Sequence, residues 1–583
     1  MENQKEDQLH KIRHTLAHIL AWVIQEQDPK VQLAIGPTID NGFYYDMLLS
    51  SALSSEELPK IEAKMKELIK GKHSMTGQEV DYAEAKKLFG DSPFKLEMIE
   101  ELHRNGEKMT AYTVGKFTDL CRGGHVENTS EIDASAFKLD KLAGAYWRGS
   151  EKNPMLTRIY GLAFSSKDEL DKYLTMLEEA KKRDHRKLGR ELDLLVFSDL
   201  VGPGMPLFTP KGNIVREAII TFSRELNNEL GFGEVHTPNI NKAELFKISG
   251  HYDKYKEDML SVVSQYAKDE MFLKPMNCPQ HTQIYASNPR SYRDLPIRFS
   301  DFAVLYRDER PGELSGLTRL RSFSQDDGHD FCREDQIESE ISNILEAIKK
   351  ALATYKISYW MRLSLKDPNN KEKYLGSDEV WNRAEPILRK LLVDHKIEHK
   401  EAIGEAAFYG PKIDIMAVDA IGREWQISTI QLDFNMPGRF GLEYTDSDGT
   451  KKTPVMIHRA LIGSPDRFMG ILIEHYAGAF PTWLSPVQVV ILPISEKHLE
   501  YSEEVYRKLK TAGVRVELNR DNDTLGKKIR AAKMTKVPYI LIIGDKEIEA
   551  SKVGVESRER GQMGAQGLEE FTKNIEAEIK DRK

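Results

Sequence analysis

The chain has 583 residues, 40% of them hydrophobic and 30% charged, which is too long for one core and suggests about three or four domains. A net charge of −8 argues against bulk, sequence-independent nucleic-acid binding but leaves room for local basic patches. No apolar run approaches the roughly 18–20 residues that span a membrane. Three cysteines, Cys121, Cys278 and Cys332, are too few for a disulfide framework, so a cytoplasmic protein with reduced thiols is expected.

The N-terminus, MENQKEDQLHKIRH, is polar and mixed in charge, unlike a secretion signal. Residues 7–27 predict an amphipathic helix, with Leu9, Ile12, Leu16, Leu20 and Val23 on one stripe and His14 and His18 one turn apart on the other side. A helix–strand mixture follows and ends near Ala163. Residues 166–190 predict a connecting helix, rich in helix formers and free of proline. Its basic end, KKRDHRKLGR at 181–190, reads either as a solvated helix or as a phosphate-contacting patch.

Residues 191–484 mix strands such as KIDIMAV (412–418) with helices such as IESEISNILEAIKKALATY (337–355). After Pro486 a βαβαβ alternation begins: strands at 487–493, 514–519 and 538–544, helices at 496–511 and near 524–534. It predicts a small parallel or mixed sheet covered by helices.

Three stretches of the third region each offer one metal-ligand type: Cys278 in PMNCPQH (275–281), His329 in SQDDGH (324–329) and His458 in HRALIGSPDR (458–467). Spacing alone does not distinguish ligands from an ordinary buried cysteine and two satisfied histidines. Asp326 and Asp327 read either as a surface turn or, for Asp327, as a functional carboxylate beside His329. No GxxxxGK[ST] loop is present, so nucleotide is not held in the P-loop manner. In the first region HTLAH (14–18) and CRGGH (121–125) form a second His/Cys cluster, for which zinc is the first reading and two surface histidines with a buried cysteine the alternative.

Together these segments resemble the threonyl-tRNA synthetases of class II, over almost the whole chain from about residue 7. The resemblance implies a multidomain α+β and α/β chain. Its parts are an N-terminal α+β editing domain (1–165), a linker helix (166–190), a class II antiparallel-sheet catalytic domain (191–484) and a C-terminal α/β anticodon-binding domain (485–583). Many relatives carry a further small β-rich N-terminal domain, whereas this resemblance starts with the first helix.

The resemblance makes Cys278, His329 and His458 ligands of one zinc per subunit, with an open position for substrate. Threonine and valine nearly share a shape, so an apolar pocket separates them poorly, whereas a metal that takes the amino group and hydroxyl rejects valine. Asp327 would receive the substrate amino group or hydroxyl, and Gln325 belongs with the catalytic set. YRDE (306–309) resembles motif 2: Arg307 for the α-phosphate and carboxylate, Glu309 for the adenine amino group, and Phe323 of the return strand RLRSF (319–323) beneath adenine. Arg319 and Arg321 read as phosphate contacts or as a salt-bridged strand face.

GSPDRF (463–468) resembles motif 3, with Arg467 on the other adenine face and near the terminal phosphates. The helix at 214–230 with GFGEVHTPNI resembles motif 1, which builds a homodimer interface. Tyr409, Lys412, Gln426 and Gln431 would line the amino acid and the tRNA terminus. Ser428 and Gln280 stand where glycine is usual in the family, and Ser428 is expected to narrow the cleft.

The implied reaction joins L-threonine to ATP, held with Mg2+, releases pyrophosphate, and passes threonine to tRNA(Thr). Serine differs from threonine by one methyl, worth only about 1–3 kcal/mol, so a hydrolytic editing site is expected at His14, His18, Lys95, Asp119, Cys121 and His125. There His14 and Lys95 would act on water and His125 would contact the nucleotide end. Asn522, Glu549 and Arg558 match anticodon-contacting positions. Prolyl- or seryl-type relatives would not need the Cys/His/His set with YGPKID. A non-catalytic synthetase-like RNA-binding regulator would have lost Arg307, Glu309 or Arg467, and a free-standing deacylase leaves the downstream chain unexplained.

Overall fold

The computed structural model describes residues 2–583, with side chains from Lys5 onward. It divides into two compact units, one up to Glu178 and the other Glu179–Lys583. The division falls inside the helix Lys167–Arg183.

The first unit centres on the helix Glu2–Gln27. The helix lies on a sheet whose strands Gln32–Leu33, Gly42–Leu48, Met155–Ala163 and Phe137–Tyr146 run in that order, with Thr38–Ile39 also on Gly42–Leu48. The expected amphipathic stripe is only half the story. Every residue from Thr15 to Ile24 is buried, His18 included, so the C-terminal half of the helix is surrounded. The reason is a second layer: a three-stranded sheet (Met75–Val80, Met109–Val114, Phe117–Leu120), whose last two strands pack Val114 and Phe117 into the same core as the helix.

The predicted single connecting helix is two helices, Lys167–Arg183 and His185–Glu191. Asp184 leaves helical geometry and its carboxylate accepts the Arg186 N–H at 2.8 Å, capping the second helix.

The second unit is built on an eight-stranded sheet. Its middle six strands are antiparallel, in the order Ile297–Asp301, Asp327–Cys332, Val455–Ala460, Glu424–Asp433, Lys412–Val418 and Ser358–Leu365. Short parallel strands, Gly233–Glu234 and His399–Ile403, close the two edges. Helices Pro210–Glu229, Ile337–Thr354 and Asp378–Asp394 contribute to the main core against one face, and the other face carries the site. The C-terminal module has the expected parallel strands Val516–Leu518, Val489–Pro493 and Tyr539–Ile543. To these it adds an antiparallel hairpin, Lys552–Ser557 with Gly561–Gly567, and a closing helix Leu568–Lys580.

Candidate active sites

The pleat explains the site in the second unit. Register pairs of an antiparallel sheet share a face. His329 pairs with His458, His458 with Gln431, and Gln431 with Lys412, so the four form a row across four strands. Asp327, two residues before His329, lies on the same face. So do Thr429 and Asp414, an adjacent register pair. Gln426 reaches this face only because of a bulge: Ser428 pairs with Ile415 but Gln426 pairs with Met416, leaving Ile427 as the extra residue. Gln426 then donates to Asp414 at 2.8 Å. Gly463, at φ +71°, packs against the bulge, and a Cβ there would stand 2.2 Å from the Ile427 carbonyl oxygen.

Cys278 begins the helix Cys278–Ala286 beneath this row. The ligand atoms of Cys278, His329 and His458 lie within 4.8 Å of one another, and all three residues are buried. Each histidine has its second nitrogen engaged. His458 Nε2 is 3.1 Å from Asp433 Oδ2, and His329 Nδ1 is 2.7 Å from His281 Nδ1. That leaves one nitrogen of each free for an ion, the outer-shell pattern of metal-binding histidines. Burial holds His329 well below the usual imidazole range, so it is a neutral donor. Burial, then the charges of Asp327 and Asp433, push the Cys278 thiol far up, so a bound cation must displace its proton. One thiolate and two imidazoles fit a borderline-soft divalent metal with an open position.

Two clefts meet here. The larger, about 920 Å³, is lined by Cys278, Asp327, His329, His458, Tyr409, Lys412 and Gln431. The second, about 460 Å³, is lined by Phe323, Gln426, Ser428 and Arg467. Arg307, Glu309, Arg319, Gln325 and Thr429 line both. Tyr306 and Ser322 close an antiparallel pair of short strands, so Arg307 follows one and Phe323 stands on the other. The Arg307 guanidinium carbon is 5.2 Å from the Phe323 ring centre. Arg467 sits in the first turn of the helix Pro465–His475, whose cap Ser464 accepts its N–H, and its buried Nε has no hydrogen-bond partner. A cleft-lining guanidinium with an unsatisfied buried nitrogen suits an anion.

Other expected residues are already engaged. Arg319 forms ion pairs with Glu309 and Glu313 at 2.8 Å each, whereas Arg321 donates to the main-chain carbonyl of Glu309. Lys412 sits 2.8 Å from Asp414, and the Tyr409 hydroxyl donates to Gln431 Oε1. Asp326 is no surface turn: it is fully buried, 2.8 Å from Arg459, and accepts from Ser223, Asn227 and the Leu461 N–H. Ser428 donates to the Leu461 carbonyl at 2.5 Å, so its hydroxyl is held by the main chain that follows the strand Val455–Ala460. Gln280 donates to Pro238 and Asn241. Sequence reasoning missed His281, Asp433 and His251. His251 lines the larger cleft with Nε2 4.0 Å from Cys278 Sγ, and burial pushes its pKa down to about 3. Only His281, three residues after Cys278 in the same motif, carried a usable signal.

In the first unit His14 and His18 project from the central helix toward Cys121 and His125, with all four ligand atoms within 4.8 Å. Gly123 and Gly124, at φ +93° and +85°, turn the CRGGH loop back so that His125 faces Cys121. Cys121 Sγ is 3.1 Å from His125 Nε2 and 3.4 Å from His14 Nε2. Lys95 pairs with Asp119 at 2.5 Å, both almost wholly buried, and Tyr45 donates to Asp119 at 2.6 Å. Burial pushes His125 down to about 2, lowers His14 and His18, and raises Cys121 to about 11. His14, His18, Lys95, Asp119 and Cys121 line a cleft of about 460 Å³. His125 is not part of that lining. It stacks on His14 at 4.1 Å.

In the C-terminal module Asn522 and Glu549 follow the carboxyl ends of parallel strands. Arg558 follows Ser557, which pairs with Tyr539 at the opposite end of the sheet, and its guanidinium donates to the carbonyls of Lys536 and Phe480. The structure therefore does not bring Arg558 beside the other two.

An antiparallel sheet bearing a nucleotide-sized cleft between Arg307 and Arg467, with a small α/β module after it, defines the class II aminoacyl-tRNA synthetases. Residues 261–476 match the class II core domain of the G, H, P, S and T synthetases, 488–578 the anticodon binding domain, and 109–160 the threonyl and alanyl tRNA synthetase second additional domain. The chain is 47% identical to the threonine–tRNA ligase of Rubrobacter xylanophilus, covering 99% of this chain and 90% of that one. It is also 47% identical to that of Thermotoga maritima, covering 98% and 88%. The RNA-binding-domain structure of the Cryptosporidium parvum threonyl-tRNA synthetase superposes with a TM-score of 0.65 at 39% identity, over 68% of this chain and 98% of that one. A Giardia lamblia prolyl-tRNA synthetase shares the fold at 16% identity and a TM-score of 0.54, over 69% and 81%. The chain belongs to the threonine–tRNA ligase family.

Proposed function

We propose that the chain activates L-threonine with ATP and Mg2+, transfers threonine to the 3′ end of tRNA(Thr), and hydrolyses seryl-tRNA formed in error. The observation that carries this reading is the junction of two clefts at Arg307, one holding Cys278, His329 and His458 and the other Arg467. Cys278, His329 and His458 would hold one zinc, which when bound offers a Lewis-acidic position for the amino group and hydroxyl of threonine. Asp327, on the same face, accepts from the substrate ammonium. Gln431 and Lys412 close the row beyond it, and Tyr409, stacked on His458 at 4.6 Å, walls the pocket.

Arg307 stands where the substrate carboxylate meets the α-phosphate. It spreads the charge that develops as the carboxylate attacks phosphorus and pyrophosphate leaves. Phe323 supplies a flat face for adenine and Arg467 a cation over its other side and the outer phosphates. Gln325 and Gln426 line the nucleotide side, with Glu309 and Arg319 as a preformed pair at its rim. The step needs positioning and neutralisation more than proton transfer.

In the first unit, neutral His14 is a proton acceptor for water, and the Lys95–Asp119 pair fixes the cleft floor beside His18 and Cys121. Asn522 and Glu549 read unpaired anticodon bases. The protein works as a cytoplasmic homodimer. Among the described residues no helix is long and apolar enough to cross a membrane.

Charging of a tRNA(Thr) transcript with labelled threonine, together with release of serine from seryl-tRNA(Thr), tests the reading. Both reactions are expected, and Lys95→Ala should abolish only the second. Folded, zinc-loaded protein that charges no threonine contradicts it.

A further inference from the structure

Neither site uses the segment KKRDHRKLGR at 181–190, and its central residues are not displayed as a phosphate comb. Arg183 donates to the carbonyls of Glu474 and His475, at 3.4 and 3.0 Å, at the carboxyl end of the helix that carries Arg467 in its first turn. His185 is buried. Its main-chain N–H donates to Glu474 Oε1 at 3.1 Å, and its Nδ1 is 2.6 Å from the same oxygen. Across the ring, Nε2 accepts the main-chain N–H of Leu317 at 2.8 Å. An ionised carboxylate only accepts, and an amide N–H only donates. The ring therefore carries its proton on Nδ1 and a lone pair on Nε2, a neutral spacer of fixed length.

What it spaces matters. Leu317 is buried, and with Thr318, Arg319 and Leu320 it forms a wall of the second cleft. The slot has no slack. A Cβ on Gly316 would stand 2.1 Å from His185 Nε2, and one on Gly470 would stand 3.0 Å from Leu317 Cβ. Glu474 is itself fixed on its other oxygen by Arg423.

We propose that His185 is a positioning residue for the nucleotide: it ties the motif 2 loop, through the Leu317 N–H, to the helix that carries Arg467. It touches no substrate. The inference rests on reading the second cleft as the ATP site. It also gives the basic segment a role within this unit other than tRNA contact.

Two full-length, zinc-loaded variants test it. His185→Asn keeps a donor near Nδ1 for Glu474 but has no atom where Nε2 was. His185→Gln places an acceptor near Nε2. Loss of one buried hydrogen bond predicts that His185→Asn raises KM for ATP about tenfold. The KM for threonine and the zinc content should stay unchanged, and amide exchange at Leu317 should accelerate. His185→Gln should restore most of both. Wild-type KM for ATP and wild-type Leu317 exchange in His185→Asn would overturn the proposal. So would folded His185→Gln that is no better than His185→Asn, or KM values for ATP and threonine that rise together. If the wild-type protein forms no adenylate, the functional reading fails. Leu317 exchange in the two variants still decides the clasp.

Discussion

Asp326 and Asp327 are neighbours in sequence but alternate across the sheet, and their consequences differ. Asp326 faces Arg459, and both side chains are fully buried. Removing one partner leaves an uncompensated buried charge, so Asp326→Ala is expected to cost about 3–5 kcal/mol in urea unfolding. A loss below about 1 kcal/mol, the range of an exposed pair, would show that the pair is not the anchor described. Asp327→Asn should leave unfolding nearly unchanged and abolish threonine activation. His281 makes a comparable point for the metal. Its Nδ1 meets His329 Nδ1 at 2.7 Å, so His281→Phe should weaken zinc binding about 10–100-fold in a competitive chelator titration. Unchanged affinity would remove His281 from the site's support.

At the scale of elements, the central helix of the first unit sets a pH dependence. His125 falls from an ordinary 6.5 to about 2, and His14 and His18 are also lowered, burial being the main cause in each. The unfolded chain then binds protons that the folded chain refuses, so stability is complete above about pH 6.5 and falls as pH drops below it. Thermal melting at about pH 7.5 and about pH 5 should show this loss in the first unit, and His125→Gln should reduce its slope. A midpoint independent of pH would mean that the cluster takes up protons when folded.

The same helix shows what the sequence could reveal. Its existence and stripe were legible from spacing, but the burial of its His face was not, because the covering strands lie about a hundred residues away. Strand Lys412–Val418 was legible to the residue because apolar residues run through it. The hairpin Lys552–Ser557 and Gly561–Gly567 was not, since GQMGAQG has neither apolar alternation nor β-branched residues. The helix break at Asp184 carried no glycine or proline to mark it. In the site, the three ligands were visible as motifs, but their row across the sheet depends on register, and Gln426 joins it only through a bulge.

For the whole molecule, the hairpin of Leu195–Val196 with Leu207–Phe208 carries an apolar surface that the described chain leaves uncovered. Leu200 is 99% exposed, and Val196, Phe197, Val201 and Leu207 are 40–49% exposed. A patch of this kind beside the motif 1 helix suits a second copy of the chain. Leu200→Asp is therefore expected to shift the protein toward monomer in light scattering at micromolar concentration, and an unaltered dimer would place the interface elsewhere. Under the proposed function one cleft reads a hydroxyl while the other holds ATP. Pyrophosphate exchange with threonine, serine and valine, on zinc-loaded and chelator-stripped protein, tests it most directly. Exchange is expected with threonine and serine and not with valine, and all exchange should be lost on stripping. Exchange with valine, or exchange with threonine that survives removal of the metal, would contradict it.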